Sequence, residues 1–365
     1  ALYQNEKDAV VSTRTVDFEE IRRDPGGVVD IQRMMQALPA VVSTSDQMNE
    51  IVVRGGEPGE NLFLMDYIEI SNPNHFGLQG TGGGPINLIN TLFIDRVDFL
   101  AGAFPAKYFD KSSSVMDIKL REGDHDTHSF DLDMSMAGLG LFTEGPILNG
   151  KGSHMTSFRK SYLDLIISST GLTAIPKYWN VQSKINYDLS PADKLYFNFA
   201  HGVDAITIEG ESQATSRGAE NVKSDGYQSI AGLTYKKLWN QRSMSRFTVA
   251  ATQANFQYDV YEYTASGDAQ QYYRQDETEW DLQLKGDLVW EISKSLELST
   301  GADLKEMGRN FDAFADYDTL WVHGYIYPGS GPDFEIIDYD IFENNILPVI
   351  QNAHEDSIYL DLNDI

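Results

Sequence analysis

The stretch Trp280–Ile292 reads WDLQLKGDLVWEI, and its alternation decides the fold. Tryptophan, leucine, glycine and isoleucine occupy the even positions, whereas charged and amide residues occupy the odd positions, with Val289 as the exception. A period of two places one kind of side chain on each face of a β-strand. The same alternation recurs after residue 124, and we count about nine such strands. Residues 125–365 are therefore predicted to form a large antiparallel sheet.

The length of this strand points to a membrane. Trp280 and Trp290 lie on one face, roughly 33 Å apart along an extended chain. Tilted by ~40°, the strand spans about 25 Å, the height of the apolar band between the two aromatic girdles of an outer-membrane barrel. Taken alone, the strand fits a soluble sandwich or propeller equally well.

The links between the strands alternate in length. Short links are expected at residues 149–152, 190–193, 240–241 and 293–295, and longer links at 168–177, 207–224, 264–276 and 311–352. Outer-membrane barrels alternate in this way because tight periplasmic turns close one rim and long external loops close the other. The alternation favours a barrel whose polar face lines the lumen and whose apolar face contacts lipid.

Composition excludes several other classes of protein. Of 365 residues, 55 are acidic and 28 are basic, and the net charge of -27 argues against a nucleic-acid partner. Hydrophobic residues make up 41%, too many for a disordered acidic tail. There is no cysteine, so disulfides, cysteine zinc clusters and cysteine nucleophiles are excluded.

Residues 1–124 follow a different pattern, irregular and rich in glycine and proline. One helix is predicted over residues 28–38, and its apolar stripe comprises Ile31, Met34, Met35 and Leu38. Short strands are predicted at residues 50–53, 61–65, 67–70, 96–100 and 115–120. The change of pattern predicts two domains, a small α+β unit at 1–124 and the sheet at 125–365.

A series of short motifs in residues 10–124 carries a resemblance to a known family. In chain order, the motifs are VSTRT at 11–15, DIQR at 30–33, LP at 38–39, NEIVVRGG at 49–56, FLMDYIEI at 63–70, NPNHF at 72–76, GGGPI at 82–86, GAFPA at 102–106 and LREGD at 120–124. Their order and spacing resemble the plug domain of TonB-dependent outer-membrane receptors of the Bacteroidetes type. FTEGPI at 142–147 and SFRKSY at 157–162 resemble the first barrel hairpin.

The resemblance implies a fold and a set of structural positions. The implied fold class is an α+β plug domain followed by antiparallel transmembrane β-barrel strands. Barrels of this family resemble 22-stranded barrels with a plugged lumen, so about nine strands form an incomplete barrel. We expect a trimmed chain, because it starts without methionine and stops in mid-pattern at Ile365. The implied plug signature comprises Gly55, Asp66, Gly102, Phe104, Pro105, Arg121 and Glu122.

The resemblance also implies a function and partners. Receptors of this kind are ligand-gated transporters in the outer membrane of Gram-negative bacteria, for siderophore-, glycan- or peptide-like substrates. The expected partners are a TonB-type energy-coupling protein, outer-membrane lipid and a surface lipoprotein that captures substrate. No nucleic acid and no cofactor is expected, and the sequence does not identify the substrate.

Arg54 is the candidate for a lock between plug and barrel. It follows an apolar strand in a Val-Arg-Gly turn, and the resemblance implies that it pairs with barrel glutamates. Charge pairs suit a plug that must be held and then released, because they fix one geometry without a large apolar interface. The alternative is an exposed arginine at the end of a strand.

The candidate ligand-facing residues are His75, Phe76, Gly82 and Gly83. They lie in a glycine-rich tract that permits close approach of the backbone to a ligand. For His75 the alternatives are a metal chelate and a simple turn, and the turn is favoured. The histidines at 125 and 128 have no recognised metal-ligand spacing, so a solvated linker is favoured there and no metal site is predicted.

The competing hypothesis is a soluble or surface all-β module that binds carbohydrate or mediates adhesion. Aromatic residues of the acidic segment 312–343 could stack on sugar rings, although a solvated external loop is favoured; they are Trp321, Tyr325 and Tyr327. No nucleophile elbow and no His-Glu-x-x-His motif is present, and no acid pair stands out. No enzyme is therefore predicted, a glycan hydrolase included.

The burial of one strand separates the two hypotheses. In a barrel, Leu282, Leu284 and Leu288 face outward between Trp280 and Trp290 and stay exposed. In a soluble sandwich, a second sheet covers the same leucines. The opposite side chains line the lumen of a barrel, and they are Asp281, Gln283, Lys285 and Asp287.

Overall fold

The computed structural model describes residues 13–24, 30–43, 45–46, 48–135, 138–162, 174–208, 221–263 and 269–315. No helix within these ranges is both long enough and apolar enough to cross a membrane.

The first part of the chain, called the plug below (residues 13–124), folds around a five-stranded sheet. Its elements are β1 (Thr13–Asp17), α1 (Phe18–Arg23), α2 (Ile31–Met35), β2 (Val41–Val42), β3 (Val52–Val53), β4 (Asn61–Met65), β5 (Ile68–Ile70), β6 (Asn74–His75), β7 (Ile86–Asn87), β8 (Ile94–Leu100) and β9 (Ser114–Leu120). The sheet has the order β1-β8-β9-β4-β5, with β4 parallel to β9. This architecture confirms the predicted α+β plug.

The predicted helix is shorter than its apolar stripe. Asp30 caps α2, because its carboxylate accepts a hydrogen bond from the backbone N–H of Gln32 at 2.9 Å. The helix ends at Met35 rather than Leu38, since the residue before Pro39 is disfavoured in a helical conformation. The stripe nevertheless packs into the core as predicted.

The second part is a nine-stranded antiparallel sheet, called the wall below. Its strands are β10 (Ser129–Ser135), β11 (Gly138–Ile147), β12 (Gly152–Lys160), β13 (Ala174–Ser190), β14 (Asp193–Ile208), β15 (Asn221–Asn240), β16 (Ser243–Tyr263), β17 (Ala269–Ser293) and β18 (Leu296–Ala315). Each strand pairs with the next in chain order. The sheet confirms the predicted number and arrangement of strands, and within the described residues it is not closed.

Several wall strands are longer than predicted. β16 continues to Tyr263 and β17 begins at Ala269, so residues 269–276, which were expected in a long link, belong to a strand. The ladder extends because backbone hydrogen bonds need no apolar face, whereas the sequence pattern detects only the apolar stretch. The structure confirms the short links near 149–152, 190–193, 240–241 and 293–295.

The two faces of the wall differ as the alternation predicts. On β17, Leu282, Leu284 and Trp290 are 49%, 39% and 45% exposed, whereas Gln283 is 5% exposed. Within the described part of the chain, no second sheet covers these leucines. The outward position of Leu282 and Leu284 is confirmed, and the sandwich hypothesis, which needs them covered, is wrong on this point.

The apolar outer face extends across the wall. Trp280 and Leu288 are only half-exposed on this face, and Trp280 packs against Gly308 of β18. A continuous apolar surface of this kind marks contact with lipid or with another protein. Its other exposed side chains include Phe130, Leu132, Met134, Leu139, Phe158, Trp179, Ile185, Phe197, Leu233, Phe247 and Val249.

The inner face of the wall packs on the plug. Phe93 of the plug meets Phe142 of β11 edge-on, with 5.6 Å between the ring centroids. Ala200, Ile230 and Ala250 of the wall are buried in the same apolar cluster as the plug core. Because plug and wall share this core, the domain boundary at residue 124 stays a prediction.

Candidate functional site at the plug–wall interface

A buried ion pair joins the plug to the wall at Asp66. Asp66 and Tyr67 form the turn between β4 and β5, with φ values of 50° and 78° that non-glycine residues rarely adopt. The Asp66 carboxylate accepts hydrogen bonds from the Lys184 ammonium at 2.6 Å and from the backbone N–H of Leu120 at 3.1 Å. Lys184 of β13 also donates to the Leu120 carbonyl at 2.7 Å. Both charged groups are buried, so removal of either leaves the other unpaired.

Tyr67, the second residue of this turn, lies between two cations. The Lys119 ammonium is 4.0 Å from the centroid of its ring, and the Arg246 guanidinium of β16 is 3.9 Å from it. Burial alone would raise the pKa of Tyr67, but Arg246 and Lys119 hold that pKa below its usual value. Arg246 is in turn fixed by Asp287 of β17 at 2.7 Å. The turn is therefore anchored to β13 and β16 together.

Two ion pairs clamp the end of the plug to the wall. Arg121 donates to Glu144 of β11 at 2.6 Å, and Lys194 of β14 donates to both oxygens of Glu122 at 3.0 Å. Burial would raise the pKa of Glu122, but the hydrogen bonds from Lys194 and His125 hold it below its usual value. The Glu122 pair therefore stays charged at neutral pH, and the signature residues Arg121 and Glu122 both contact the wall.

The β6–β7 hairpin, residues 72–90, is attached to the wall on its first side through Asp204 of β14. One oxygen of Asp204 accepts from the backbone N–H of Phe76 at 2.8 Å, and the other pairs with the His75 ring. His75 is 1% exposed, and its ring lies 4.5 Å from that of Tyr178 of β13. His75 therefore faces the wall rather than an open surface, and its contact with ligand stays a prediction.

The second side of this hairpin is held through its backbone. Arg159 of β12 and Asn180 of β13 donate to the carbonyl of Leu88, at 2.6 Å and 2.9 Å. Gln182 of β13 accepts from the backbone N–H of Asn90 at 2.9 Å. Since these contacts use plug backbone, they fix the position of the hairpin whatever its side chains are.

A buried polar network joins the glycine tract to helix α2. Gln32 and Asn74 donate to the Gly82 carbonyl at 2.7 Å and 3.1 Å. Asn49 donates to Asp30 and to Asn74, at 2.6 Å in each case. Burial raises the pKa of Asp30. The network ties the start of α2 to the loop after β6.

Gly82 and Gly83 are packed tightly inside the plug. A Cβ added at Gly82 would lie 2.4 Å from the Phe63 ring, and one at Gly83 would lie 2.5 Å from Glu50. Glycine is needed at both positions because no side chain fits. Gly82 also lines the cavity described next, so its contact with ligand stays a prediction.

A cavity of about 560 Å³ lies between the plug and strands β15 to β18. Its size falls within the range of small-molecule sites in proteins. Charges of both signs line it, and Lys305 is paired there with Glu69 at 2.7 Å. The lining includes Leu78, Gln79, Thr81 and Gly82 from the plug, and Gln228, Phe256, Glu279, Asp281, Met307 and Arg309 from the wall.

Gln79 connects this cavity to the wall. It donates to Glu277 of β17 and, at 3.2 Å, to Glu279. Glu277 is fully buried and also pairs with Arg309 of β18. A ligand in the cavity would touch Gln79 and Arg309, so it can compete with the contacts that hold this loop.

Arg54 lies at the surface of the plug. It is exposed with a φ of 52°, and its guanidinium lies beside Gly102, where an added Cβ would be 3.0 Å from Nη1. Gly55 and Gly102 have φ values of 79° and 126°, which glycine adopts without strain. The lock predicted for Arg54 stays a prediction.

Phe104 and Pro105 belong to the turn that carries Tyr108. The Pro105 carbonyl accepts from the backbone N–H of Tyr108 at 3.0 Å, and Phe104 packs on a small apolar cluster that contains Tyr108. The Tyr108 hydroxyl donates to Asp117 at 2.9 Å. These contacts are internal to the plug and favour the structural role predicted for this motif.

The linker after the plug, residues 124–128, forms a capped turn. Asp124 accepts from the hydroxyl and the backbone N–H of Thr127 at 2.6 Å and 3.0 Å, and these bonds lower the pKa of Asp124 to about 2. Among the residues with described positions, no group of three or more His, Cys, Asp or Glu is arranged to hold a metal ion. Trp321, Tyr325 and Tyr327 of the acidic segment lie outside the described residues.

Sequence reasoning missed the wall residues that hold the plug. Lys184, Lys194 and Asp204 stand on polar faces of alternating strands, where the pattern shows only that they face the lumen. One signal was available: a lysine deep inside a barrel needs an anion, and the plug motif offers Asp66 in an unusual turn.

Comparison with known proteins bears on both parts of the chain. Residues 5–114 match the family model described as TonB-dependent Receptor Plug Domain. The chain is similar in structure to the ferric-catecholate import receptor Fiu from E. coli K12, with 12% identity, a TM-score of 0.58, and coverage of 82% of this chain and 49% of that one. No curated protein matches the chain.

Two siderophore receptors from Pseudomonas aeruginosa also match, with lower TM-scores. The ferric enterobactin receptor PfeA has 14% identity, a TM-score of 0.48, and coverage of 82% of this chain and 59% of that one. The siderophore receptor PirA has 16% identity, a TM-score of 0.46, and coverage of 82% and 57%. The chain spans less than two thirds of the length of each of these receptors.

The family model covers all of the plug motifs except the last, at 120–124, and the likeness to Fiu covers plug and wall together. Residues 5–114 are therefore a TonB-dependent receptor plug domain, and the wall has the fold of the barrel strands in such receptors.

Proposed function

We propose that the protein is a ligand-gated, energy-coupled transporter in the outer membrane of a Gram-negative bacterium. The observation that carries the proposal is the sidedness of the wall. Its outer face is apolar and exposed, and its inner face is polar and occupied by the plug. A barrel in lipid needs this arrangement.

The interface supports a mechanism of gating. Ligand enters the cavity beside Gln79 and competes for the contacts of Gln79 and Arg309 with Glu277. A TonB-type energy-coupling protein then displaces or remodels the plug, and the passage opens along the inner face of the wall. Ion pairs suit this cycle because they can break and reform in one geometry. Arg54 is proposed as a further lock between plug and barrel.

The substrate class is siderophore-, glycan- or peptide-like. Fiu, PfeA and PirA are receptors for ferric catecholates, ferric enterobactin and siderophores by their descriptions, which favours the first class. The further partners are outer-membrane lipid, which covers the apolar face, and a surface lipoprotein that delivers substrate.

The location of the protein tests this proposal. The product of the complete reading frame should fractionate with the outer membrane, need detergent for extraction, and show the far-UV CD spectrum of a β-protein. Leu284→Lys should reduce the inserted amount, because a lysine facing lipid near the midplane costs about 2–4 kcal/mol. Recovery of the folded protein from the soluble fraction without detergent would contradict the proposal.

A further inference from the structure

Two histidines meet on the outer face of the wall, where the linker enters β10. His128 directly precedes β10 and His154 lies in β12, and their ring centroids are 6.1 Å apart. Spacing along the chain groups His128 with His125, but the strand register brings it to His154 instead. The two rings therefore come from elements that only the folded wall places together.

The register puts both rings on the same face. On β11, Glu144 points inward to the plug, so the next residue, Gly145, faces outward. Gly145 pairs with His154, and the neighbour of His154, Met155, is buried in the plug core. Extending the ladder between β10 and β11 by one residue places His128 on the other side of Gly145. Both histidines thus flank one glycine on the outer face.

Gly145 leaves room for the two rings to approach each other. A Cβ built there would lie 2.7 Å from Cγ and 2.8 Å from Cε1 of the His128 ring, closer than real side chains come. Any other residue at position 145 would push this ring away from its place beside His154. The glycine is therefore what allows the pair to form.

The tautomer of His154 is fixed by the same glycine. Its Nδ1 lies 2.9 Å from the carbonyl oxygen of Gly145, which can only accept a hydrogen bond, so Nδ1 carries the proton. In the neutral ring, the lone pair is then on Nε2. Metal-binding histidines are oriented in this way, with one N–H on a backbone carbonyl and the other nitrogen on the ion.

The separation of the rings fits a shared ion. With metal–nitrogen distances of about 2.0–2.1 Å, two imidazoles on one ion have ring centroids roughly 5–6 Å apart. The observed 6.1 Å needs only a small rotation of His128, which is exposed. β12 begins at Gly152, two residues before His154, so the pair lies beside the rim of the wall that carries the short link at 149–152. Water can reach this rim and fill the remaining positions around an ion.

We propose that His128 and His154 bind a divalent transition-metal ion of the kind that prefers imidazole, namely Zn²⁺, Ni²⁺ or Cu²⁺, with water as its other ligands. The ion ties the start of β10 to β12 across β11, and so holds the strand at the edge of the described sheet. Because the ion binds only the folded arrangement, it stabilises the wall. This site goes beyond the transporter function proposed above and does not depend on it.

Metal binding by the product of the complete reading frame, purified in detergent, tests the site. In calorimetric titration with Zn²⁺, His128→Gln and His154→Gln should each weaken one binding event at least about tenfold, since even the loss of a residue that only orients a ligand costs about 10–100-fold. With Cu²⁺ as the probe, the electron paramagnetic resonance spectrum of wild type should show coupling to two imidazole nitrogens, and each variant should reduce this to one.

Another histidine of the outer face is the matched control. His201 of β14 lies between the rings of Trp179 and Tyr227, and its Nδ1 is 2.8 Å from the Ser229 hydroxyl. His201→Gln should leave the Zn²⁺ affinity and the Cu²⁺ spectrum unchanged. Far-UV CD checks that each variant is folded.

The outcomes separate this site from the transporter proposal. Equal Zn²⁺ affinity in wild type, His128→Gln and His154→Gln overturns the metal site and leaves the transporter standing. A loss of affinity in only one of these two variants also overturns it, because the ion would then not be shared. A loss of the same size in His201→Gln overturns it as well, since binding would then not depend on the pair.

Discussion

Replacing Lys184 with methionine should loosen the plug in the wall by about 3–5 kcal/mol, the usual effect of removing one partner of a buried ion pair. Methionine fills a similar volume, so the loss comes from the Asp66 carboxylate, which stays buried without its cation. In a planar bilayer, urea unfolds the plug and lets ions pass through the barrel. The variant should begin to conduct at a lower urea concentration than wild type. Cells that carry it should become sensitive to bulky antibiotics such as vancomycin.

Three variants serve as comparisons for this prediction. Lys177→Met removes an exposed lysine from the same strand and should change nothing. Adding Asp66→Asn to Lys184→Met should recover part of the loss, because the unpaired charge is then absent. Arg54→Ala should also raise antibiotic leakage if the lock proposed for it exists. An unchanged opening concentration in Lys184→Met would show that the pair does not hold the plug.

A disulfide between positions 68 and 232 should keep the plug closed completely. A Cβ built at Gly232 of β15 lies 3.0 Å from Cγ1 of Ile68 in β5. In a disulfide, the Cβ of one cysteine lies about 3 Å from the sulfur of the other, and the sulfur introduced at position 68 takes the place of Cγ1. Ile68→Cys with Gly232→Cys should therefore form the bond after a shift of a few tenths of an ångström, since the new Cβ lies 3.1 Å from Cβ of Ala250.

The chain contains no cysteine, so this pair has no competitor within it. Oxidised protein should remain closed at urea concentrations that open wild type, and dithiothreitol should restore opening. The reduced pair is the matched control, because Gly232→Cys alone would place its Cβ 2.4 Å from Cδ1 of Ile68 and disturb the packing of the plug on the wall. Equal conductance of the oxidised and reduced pair, with the bond verified by mass, would mean that the passage opens without movement of this part of the plug.

Much of the fold was predictable, because it is a matter of period and length. The alternation in Trp280–Ile292 fixed which face of β17 meets the outside, since a slip of one residue would exchange both faces. The stripe from Ile31 to Leu38 marked the buried face of α2 correctly. Strand ends were less predictable, since backbone pairing continues beyond the apolar stretch, as at Tyr263.

The contacts of the site were less predictable, because they join residues far apart in sequence. Lys184 and Asp66 lie 118 residues apart in the sequence, and no local pattern pairs them. His75 was expected in an open loop, but β6 brings it against Asp204. Gly82 and Gly83 were expected to allow close approach to a ligand, and the groups that pack against their backbone are Phe63 and Glu50, while contact with ligand stays a prediction. Glycine spacing alone does not say which group approaches the backbone.

The central claim is that the apolar face of the wall meets lipid while the polar face holds the plug, and spin labelling of β17 tests it most directly. Because the chain has no cysteine, single cysteines can be placed in turn at Leu282, Gln283, Leu284 and Lys285 and labelled in vesicles. Collision with oxygen, which concentrates in lipid, should be high at 282 and 284 and low at 283 and 285. Two results together would contradict the account. The labels at 282 and 284 would collide frequently with a water-soluble nickel chelate, and the collision frequency with oxygen would not alternate between even and odd positions.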